Sequence, residues 1–321
     1  MLAARAVRAS SDDPLSALEV ADAPAAEPPA GWVRVDVQAA ALNRHDLWSL
    51  RGVGLPADRL PMVLGCDATG TLEDGSAVVV HAVVSDEDFR GDETLDPRRT
   101  LLSERHPGTI AEHVWVPRRN VLPRPDGWSP ERAASLGTAW LTAYRMLFTQ
   151  ARAVPGQTVL VQGAAGGVSN ALVALGAAAG LRVWVTGRSP ERLEKARAWG
   201  AAATFAAGER LPARVDAVFE TVGEATWKHS VQSLKPGGCV VVAGATTGGD
   251  APAMLENVFF KQLRVLGSTM GTREEFERLL QFCDSAGLAP EVDSVHALAD
   301  ARDAFARLES GEAVGKVLVR V

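Results

Sequence analysis

Between residues 158 and 192 the chain sets apolar runs and small-residue turns in a fixed order. Thr158 to Gln162 is an apolar run of strand length, and Gly163 to Gly167 is a turn built of glycine and alanine. Val168, Ala171, Leu172, Leu175 and Ala179 then recur at helical spacing as far as Gly180. A second apolar run, Leu181 to Thr186, stops at Gly187-Arg188-Ser189 and completes a strand-helix-strand unit of the length a parallel crossover requires. Small residues in the first turn let backbone N–H groups approach a pyrophosphate, and the positive end of the following helix favours its charge. The pattern predicts a dinucleotide site.

The same alternation continues, with strand-like runs near 202 to 205, 215 to 220, 238 to 243 and 263 to 268. Six strands with intervening helices predict an α/β, doubly wound parallel sheet. Thr272 to Ala286 reads as a further helix, and Val314 to Val321 as a strand without a helical partner that returns to the first domain. Before residue 122 the pattern is different. Short β runs at Trp32 to Val37, Val78 to Val84 and Ile110 to Val116 are separated by proline, glycine and acidic segments, which predicts a compact, partly open β structure. Asp86 to Arg105 is charged with little apolar periodicity and reads as an exposed, flexible loop. The proline-rich stretch Asn120 to Pro130 is the expected crossing between domains, giving 1–122 with 287–321 as one domain and 123–286 as the other.

The end of the second strand bears on which dinucleotide is bound. Against G-x-G-x-x-G, residues Ala164 to Ser169 keep only the central glycine, yet the turn lies between a buried-type strand and an amphipathic helix. An NAD site usually has an Asp or Glu about twenty residues further on. Here Arg188 stands in that place, followed by Ser189 and, one helical turn later, Arg192. Ser189-Pro190 reads as an N-cap with proline at the first helical position, so a 2′-phosphate would meet a helix start, a hydroxyl and two guanidinium groups. The alternative is a solvated, capped helix start with incidental arginines. NADP(H) is favoured over NAD(H).

Composition narrows the class of partner. The chain has 321 residues, enough for two cores, and a formal charge of −6 with no basic stripe, which argues against nucleic acid. No apolar run is long enough to span a bilayer and the start has no hydrophobic signal core, so the expectation is a cytoplasmic protein with no membrane partner. Cys66, Cys239 and Cys283 are far apart and odd in number, which argues against a disulfide framework or a four-cysteine zinc lobe.

Several blocks, in order, resemble the medium-chain dehydrogenase/reductase superfamily, and within it the zinc-free quinone oxidoreductase branch and its zinc-binding dehydrogenase relatives. They are Ala41-Leu42-Asn43-Arg44-His45-Asp46, Leu64-Gly65-Cys66-Asp67-Ala68-Thr69-Gly70, Gly108-Thr109-Ile110-Ala111-Glu112, Gly137 to Tyr144, Ala165 to Val168, Gly244 to Gly248 and Gly315-Lys316-Val317. The resemblance implies a GroES-like, partly open β-barrel catalytic domain, a Rossmann domain, and an active site in the cleft between them. It also implies a homodimer paired through Rossmann edge strands near Val265 to Thr269. Alcohol dehydrogenases of the superfamily hold a catalytic zinc with a cysteine, a His-Glu pair and a later cysteine or acid. Those places look like Asn43, Cys66-Asp67 and Thr138, and the structural zinc lobe would fall in Val83 to Arg105, which has no cysteine. No zinc is expected. A mixed site from His45, Cys66 and Asp67 is the alternative, and Cys66 as a small buried residue is the simpler reading.

By the same resemblance His45 takes the place of the hydroxyl relay residue, next to Asn43. His45 is a candidate to bond a substrate carbonyl or deliver a proton, and Asn43 to offer an amide donor. Tyr144, the only tyrosine, is a third catalytic candidate, although a tyrosine among Trp140, Leu141 and Leu147 is more often packing. Asp46 is expected to pair with an arginine. The cofactor set comprises Thr142, Ala165, Gly166, Gly167, Val168, Arg188, Ser189, Arg192, Val222, Gly223, Gly244, Ala245, Thr246, Ser268, Thr269 and Lys316. Trp48, Trp115, Trp140 and Leu55 are either substrate walls or core. The expected activity is NADPH-dependent, metal-free hydride transfer to a quinone or an α,β-unsaturated carbonyl compound. The alternatives are an alcohol/ketone oxidoreductase of the same superfamily and a non-catalytic NADPH-binding structural or regulatory protein.

Overall fold

Trp32–Ala41 is the spine of the first unit. Its apolar positions Val35, Val37 and Ala39 to Ala41 are buried, while Arg34 points to solvent. A register shift between Val37 and Ala39 lets the strand bend and serve several partners. It pairs antiparallel with His113–Pro117 along its first half, with Lys316–Arg320 along its second, and with Asp67–Thr71. The sheet runs in the order Val121–Pro123, Ala77–Val80, Asp67–Thr71, Trp32–Ala41, Lys316–Arg320 and Val292–Ala297. A three-stranded sheet joins Leu18–Asp22, Leu2–Ala6 and Met62–Val63. Because Ala41 faces both Asp67 and Leu318, Asn43 just past one strand and Asp67 and Lys316 at the starts of the other two are brought to one place.

The computed structural model describes residues 1–24, 28–164 and 166–321, in two units: Met1–Ala139 with Gly271–Val321, and Trp140–Met270. These boundaries differ from the expected ones at 122 and 287. The helix Pro130–Ala134 packs on Trp32–Ala41 and Asp67–Thr71, so the chain has not left the first unit after residue 122. The helix Arg273–Ser285 buries Phe276, Leu279, Leu280 and Cys283 on one face and is bonded to the same unit. The Trp128 indole donates to Asp284 at 2.9 Å, and Arg132, stacked 3.8 Å over the Trp128 ring, donates to the carbonyl oxygen of Leu288 at 2.8 Å. Asp86 to Arg105 also differs from the exposed loop expected. Thr94, Thr100, Leu102 and Ser103 are buried, and the Asp96 carboxylate accepts the backbone N–H groups of Asp86 and Arg98. Local carboxylate-to-amide bonds organise this segment, a signal that apolar periodicity does not carry.

In the second unit six parallel strands run in the order Ala203–Ala206, Arg182–Gly187, Thr158–Gln162, Val215–Glu220, Leu234–Val242 and Arg264–Gly267. Thr158–Gln162 is buried at every position, as a central parallel strand covered on both faces should be. The order reverses between Thr158–Gln162 and Val215–Glu220, the place where open α/β sheets bind ligands beyond the carboxyl ends of their strands.

His81 makes the stability of the first unit pH-dependent. Its ring is buried, with Nε2 2.9 Å from the carbonyl oxygen of Gly271. Burial outweighs that contact and lowers its pKa from 6.5 to about 4. The unfolded chain therefore binds a proton below 6.5 that the native chain refuses until about 4. Stability is full above 6.5 and falls with pH through this window, with a slope approaching about 1.4 kcal/mol per pH unit. Thermal unfolding of wild type and His81→Gln across pH 4 to 7 should show a slope that is shallower in the variant.

Candidate functional site

The first unit holds a buried polar cluster around Asp67. Asp67 is fully buried, and both its oxygens are engaged. Oδ1 accepts the Thr138 hydroxyl at 2.5 Å, and Oδ2 accepts the Asn43 amide at 2.9 Å and the Lys316 ammonium at 3.3 Å. Lys316 Nζ also donates to Asn43 Oδ1 at 2.7 Å and to the carbonyl oxygen of Leu42 at 2.9 Å. Gly137 leaves room for this carboxylate, since a Cβ there would lie 2.7 Å from Asp67 Oδ1. Lys316, expected among the cofactor residues, thus has its ammonium bonded within this cluster. The amide of Asn43 is likewise bonded on both sides by protein groups.

Next to it stands a second cluster. His45 Nε2 lies 3.2 Å from Glu104 Oε1, and Nδ1 lies 3.6 Å from Cys66 Sγ. Cys66 is fully buried, and its thiol donates to the carbonyl oxygen of Leu102 at 3.3 Å. Burial raises the thiol pKa, which keeps Cys66 protonated. Burial also opposes charge on the His45 ring, while the carboxylates of Glu104 and Asp46 favour it. Among the described residues, Asp46 has no arginine partner. Its carboxylate accepts the backbone N–H of Asn43 at 2.7 Å and of Gly65 at 3.0 Å, closing the start of the helix Arg44–Leu50. Glu104 was invisible in the sequence because it is 59 residues from His45 and sits in a segment without periodicity.

These donors do not fit a catalytic zinc. Among the places where zinc-dependent relatives supply ligands, Asn43 and Thr138 are neutral oxygen donors already bonded to Asp67, and the Cys66 thiol is turned to Leu102. The Lys316 ammonium would repel a dication at Asp67. Among the described residues, no group of three or more His, Cys, Asp or Glu is arranged to hold a metal ion.

The second unit does fit a dinucleotide. Gly166 caps the helix Gly167–Ala178 with extended backbone and is exposed, while Gly167 and Val168 are half-buried, so the helix start is open to an anion. Ala165 lies outside the described residues. Arg188 is exposed at the end of its strand, and Ser189 caps the helix Pro190–Ala198 by accepting the Arg192 N–H at 3.4 Å. Val222 and Gly223 follow the fourth strand, and a Cβ on Gly223, at φ +98°, would lie 2.5 Å from the carbonyl oxygen of Gly248. Gly244, Ala245 and Thr246 follow the fifth strand, with Thr247 bonded to Val222 at 2.8 Å. Ser268 and Thr269 follow the sixth. Among the described residues, the Ser268 hydroxyl and both amide atoms of Asn170 are buried and have no hydrogen-bond partner. Asn170 was missed in the sequence, although an asparagine one turn into an otherwise apolar helix is the kind of signal that finds it.

Thr142 is buried on the helix Ala139–Tyr144, and Tyr144 is half-buried, edge-on to Phe148 with ring centroids 4.8 Å apart. Trp140 and Leu55 are core residues, Trp115 is half-buried and Trp48 is exposed.

Two family models match the chain, one for an alcohol dehydrogenase GroES-like domain over residues 29–126 and one for a zinc-binding dehydrogenase over residues 167–285. An alcohol dehydrogenase of Geobacillus stearothermophilus is 27% identical over 315 residues, covering 91% of this chain and 92% of that protein. The crotonyl-CoA carboxylase/reductase of Cereibacter sphaeroides is 29% identical over 324 residues, covering 83% of this chain and 74% of that protein. The crystal structure of an NAD-dependent alcohol dehydrogenase is 32% identical, with a TM-score of 0.91 and both chains covered in full. The GroES-like and Rossmann architecture read from the sequence is thus shared with solved relatives.

The Lys316 contact can be tested through stability. Lys316→Met leaves Asp67 as an uncompensated buried charge, and urea unfolding should show a loss of about 3–5 kcal/mol. Adding Asp67→Asn should recover most of that loss.

Proposed function

Because the chain belongs to the medium-chain dehydrogenase/reductase superfamily, we propose that it is an NADPH-dependent reductase that works without a metal on a quinone or an α,β-unsaturated carbonyl compound. The observation that carries this reading is the Asp67 cluster, where an internal ammonium and two neutral side chains stand in the places of metal ligands. Without a dication to hold an alkoxide, an acceptor already electron-poor at carbon is the substrate whose reduction asks least of the protein.

The nicotinamide, when bound, supplies the hydride. The chain's own residues bind and orient it. The start of the helix Gly167–Ala178 takes the pyrophosphate, and Arg188 with the capped start of Pro190–Ala198 takes the 2′-phosphate. Val222, Gly223 and Thr246 border the ribose and adenine parts, and Ser268 offers its unspent hydroxyl. His45 lies between Cys66 and Glu104, with the Glu104 carboxylate favouring a proton on its ring, and it is the proton donor of this proposal. Position and fixed charge supply the acceleration.

A second reading, reversible alcohol or ketone oxidoreduction, is favoured by the names of the relatives. Purified protein should oxidise NADPH with a quinone or enone panel, and a saturated ketone from an enone distinguishes C=C reduction from the allylic alcohol of C=O reduction. Arg188→Ala with Arg192→Ala should lose the preference for NADPH while retaining NADH use. An unchanged preference would remove their role, and tight NADPH binding without any turnover would favour a cofactor-binding structural protein.

The proposal includes a homodimer. The strand Arg264–Gly267 is an edge of the parallel sheet, with Val265 exposed, and Leu255, Phe259 and Phe260 on the neighbouring helix are also exposed. A second copy paired along this edge would cover both. Sedimentation equilibrium should give a dimer, and Val265→Lys with Phe260→Glu should give a monomer.

A further inference from the structure

Three adjacent strands of the second unit carry, at or one before their last position, a polar residue that the dinucleotide site does not use directly: Gln162, Thr186 and Glu220. Gln162 pairs with Thr186 across the sheet, and Val161 pairs with Phe219, which puts Glu220 beside Gln162. All three are buried, and Glu220 is completely so. A carboxylate at such depth ordinarily has a cation beside it. The partners of Glu220 are instead neutral. Its Oε1 accepts the backbone N–H groups of Val222 at 2.8 Å and Gly223 at 3.1 Å. The Thr226 hydroxyl lies 2.9 Å from both carboxylate oxygens, and the Ser230 hydroxyl donates to Oε2 at 2.6 Å.

These bonds have a single direction. A carboxylate only accepts, so the hydroxyl of Ser230 must donate to it and can receive from the other side only. What it receives is the Gln162 amide N–H, at 2.9 Å. That leaves the Gln162 carbonyl oxygen for the hydroxyl of Thr186, which donates to it. Gln162 Nε2 also lies 2.9 Å from His229 Nδ1, and His229 Nε2 lies 2.8 Å from the carbonyl oxygen of Glu209. One end of this chain is the turn Val222-Gly223. The other is Thr186, directly before Gly187-Arg188-Ser189.

We propose that Glu220, Gln162 and Thr186 are positioning residues for the dinucleotide: Glu220 holds the turn Val222-Gly223, Thr186 holds the strand end that presents Arg188 and Ser189, and Gln162 joins the two. This rests on the dinucleotide reading of the second unit. The two ends have different consequences. The Val222-Gly223 turn borders parts common to NADPH and NADH, whereas the Arg188 end meets the 2′-phosphate that only NADPH carries.

Four variants test the idea on the full chain: Thr226→Val, Thr226→Ser, Thr186→Val and Thr186→Ser. Dissociation constants for NADPH and NADH are measured by nucleotide fluorescence, with the thermal midpoint of each variant recorded in the same buffer. Thr226→Val should weaken both dinucleotides by a similar factor, on the order of fivefold for one lost hydrogen bond, and Thr226→Ser should restore them. Thr186→Val should weaken NADPH by a similar factor while leaving NADH close to wild type, and Thr186→Ser should restore the preference. Valine variants with lowered thermal midpoints but wild-type dissociation constants would show a structural role only and overturn the inference. Wild-type protein that binds neither dinucleotide would overturn the dinucleotide reading itself, and the inference with it.

Discussion

The buried contact between Lys316 and Asp67 is the constraint on which the first unit depends. It joins a strand near the end of the chain to one laid down 249 residues earlier. Neither charge is tolerable alone at that depth, since each has been removed from water and is compensated by the other and by Asn43, Thr138 and Leu42. The bond therefore requires that Lys316–Arg320 lie against Trp32–Ala41 in one register, the register in which Leu318 faces Ala41. A slip of one residue would turn Lys316 to the other face and leave Asp67 uncompensated.

The same contact determines what chemistry the cluster can offer. Asp67 has no free oxygen, and the amide of Asn43 is bonded through both of its atoms. The neighbouring His45 lies between a buried thiol and a partly exposed carboxylate. In the second unit the arrangement is complementary. Gly166 at a helix start and Arg188 after its strand are exposed, while Gln162, Thr186 and Glu220 in the strands are linked by hydrogen bonds.

The parallel sheet was legible because its information is local. Each strand from Thr158–Gln162 to Arg264–Gly267 is a short apolar run bounded by turn residues, and the Ser189-Pro190 cap is written in two adjacent positions. The helix Arg273–Ser285 was equally legible as a helix, yet its apolar face says only that it packs against something. Trp128, Arg132 and His81 assign it to the first unit, and those contacts span more than 150 residues.

By itself the sequence determined the α/β repeat, the place of the dinucleotide turn, the arginine where an acid is usual, and the departure from zinc-ligand residue types at 43, 66 and 138. Periodicity, turn chemistry and residue identity act over a few neighbours, and these are properties a single chain displays. Only the tertiary structure decided that the Lys316 ammonium is bonded to Asp67, that Glu104 faces His45, and that Glu220 is linked through Gln162 to Thr186. Each of these depends on strand register and on burial. A polar residue's partner is set by which other polar groups lose water in the same place, and that is known only once the chain has folded.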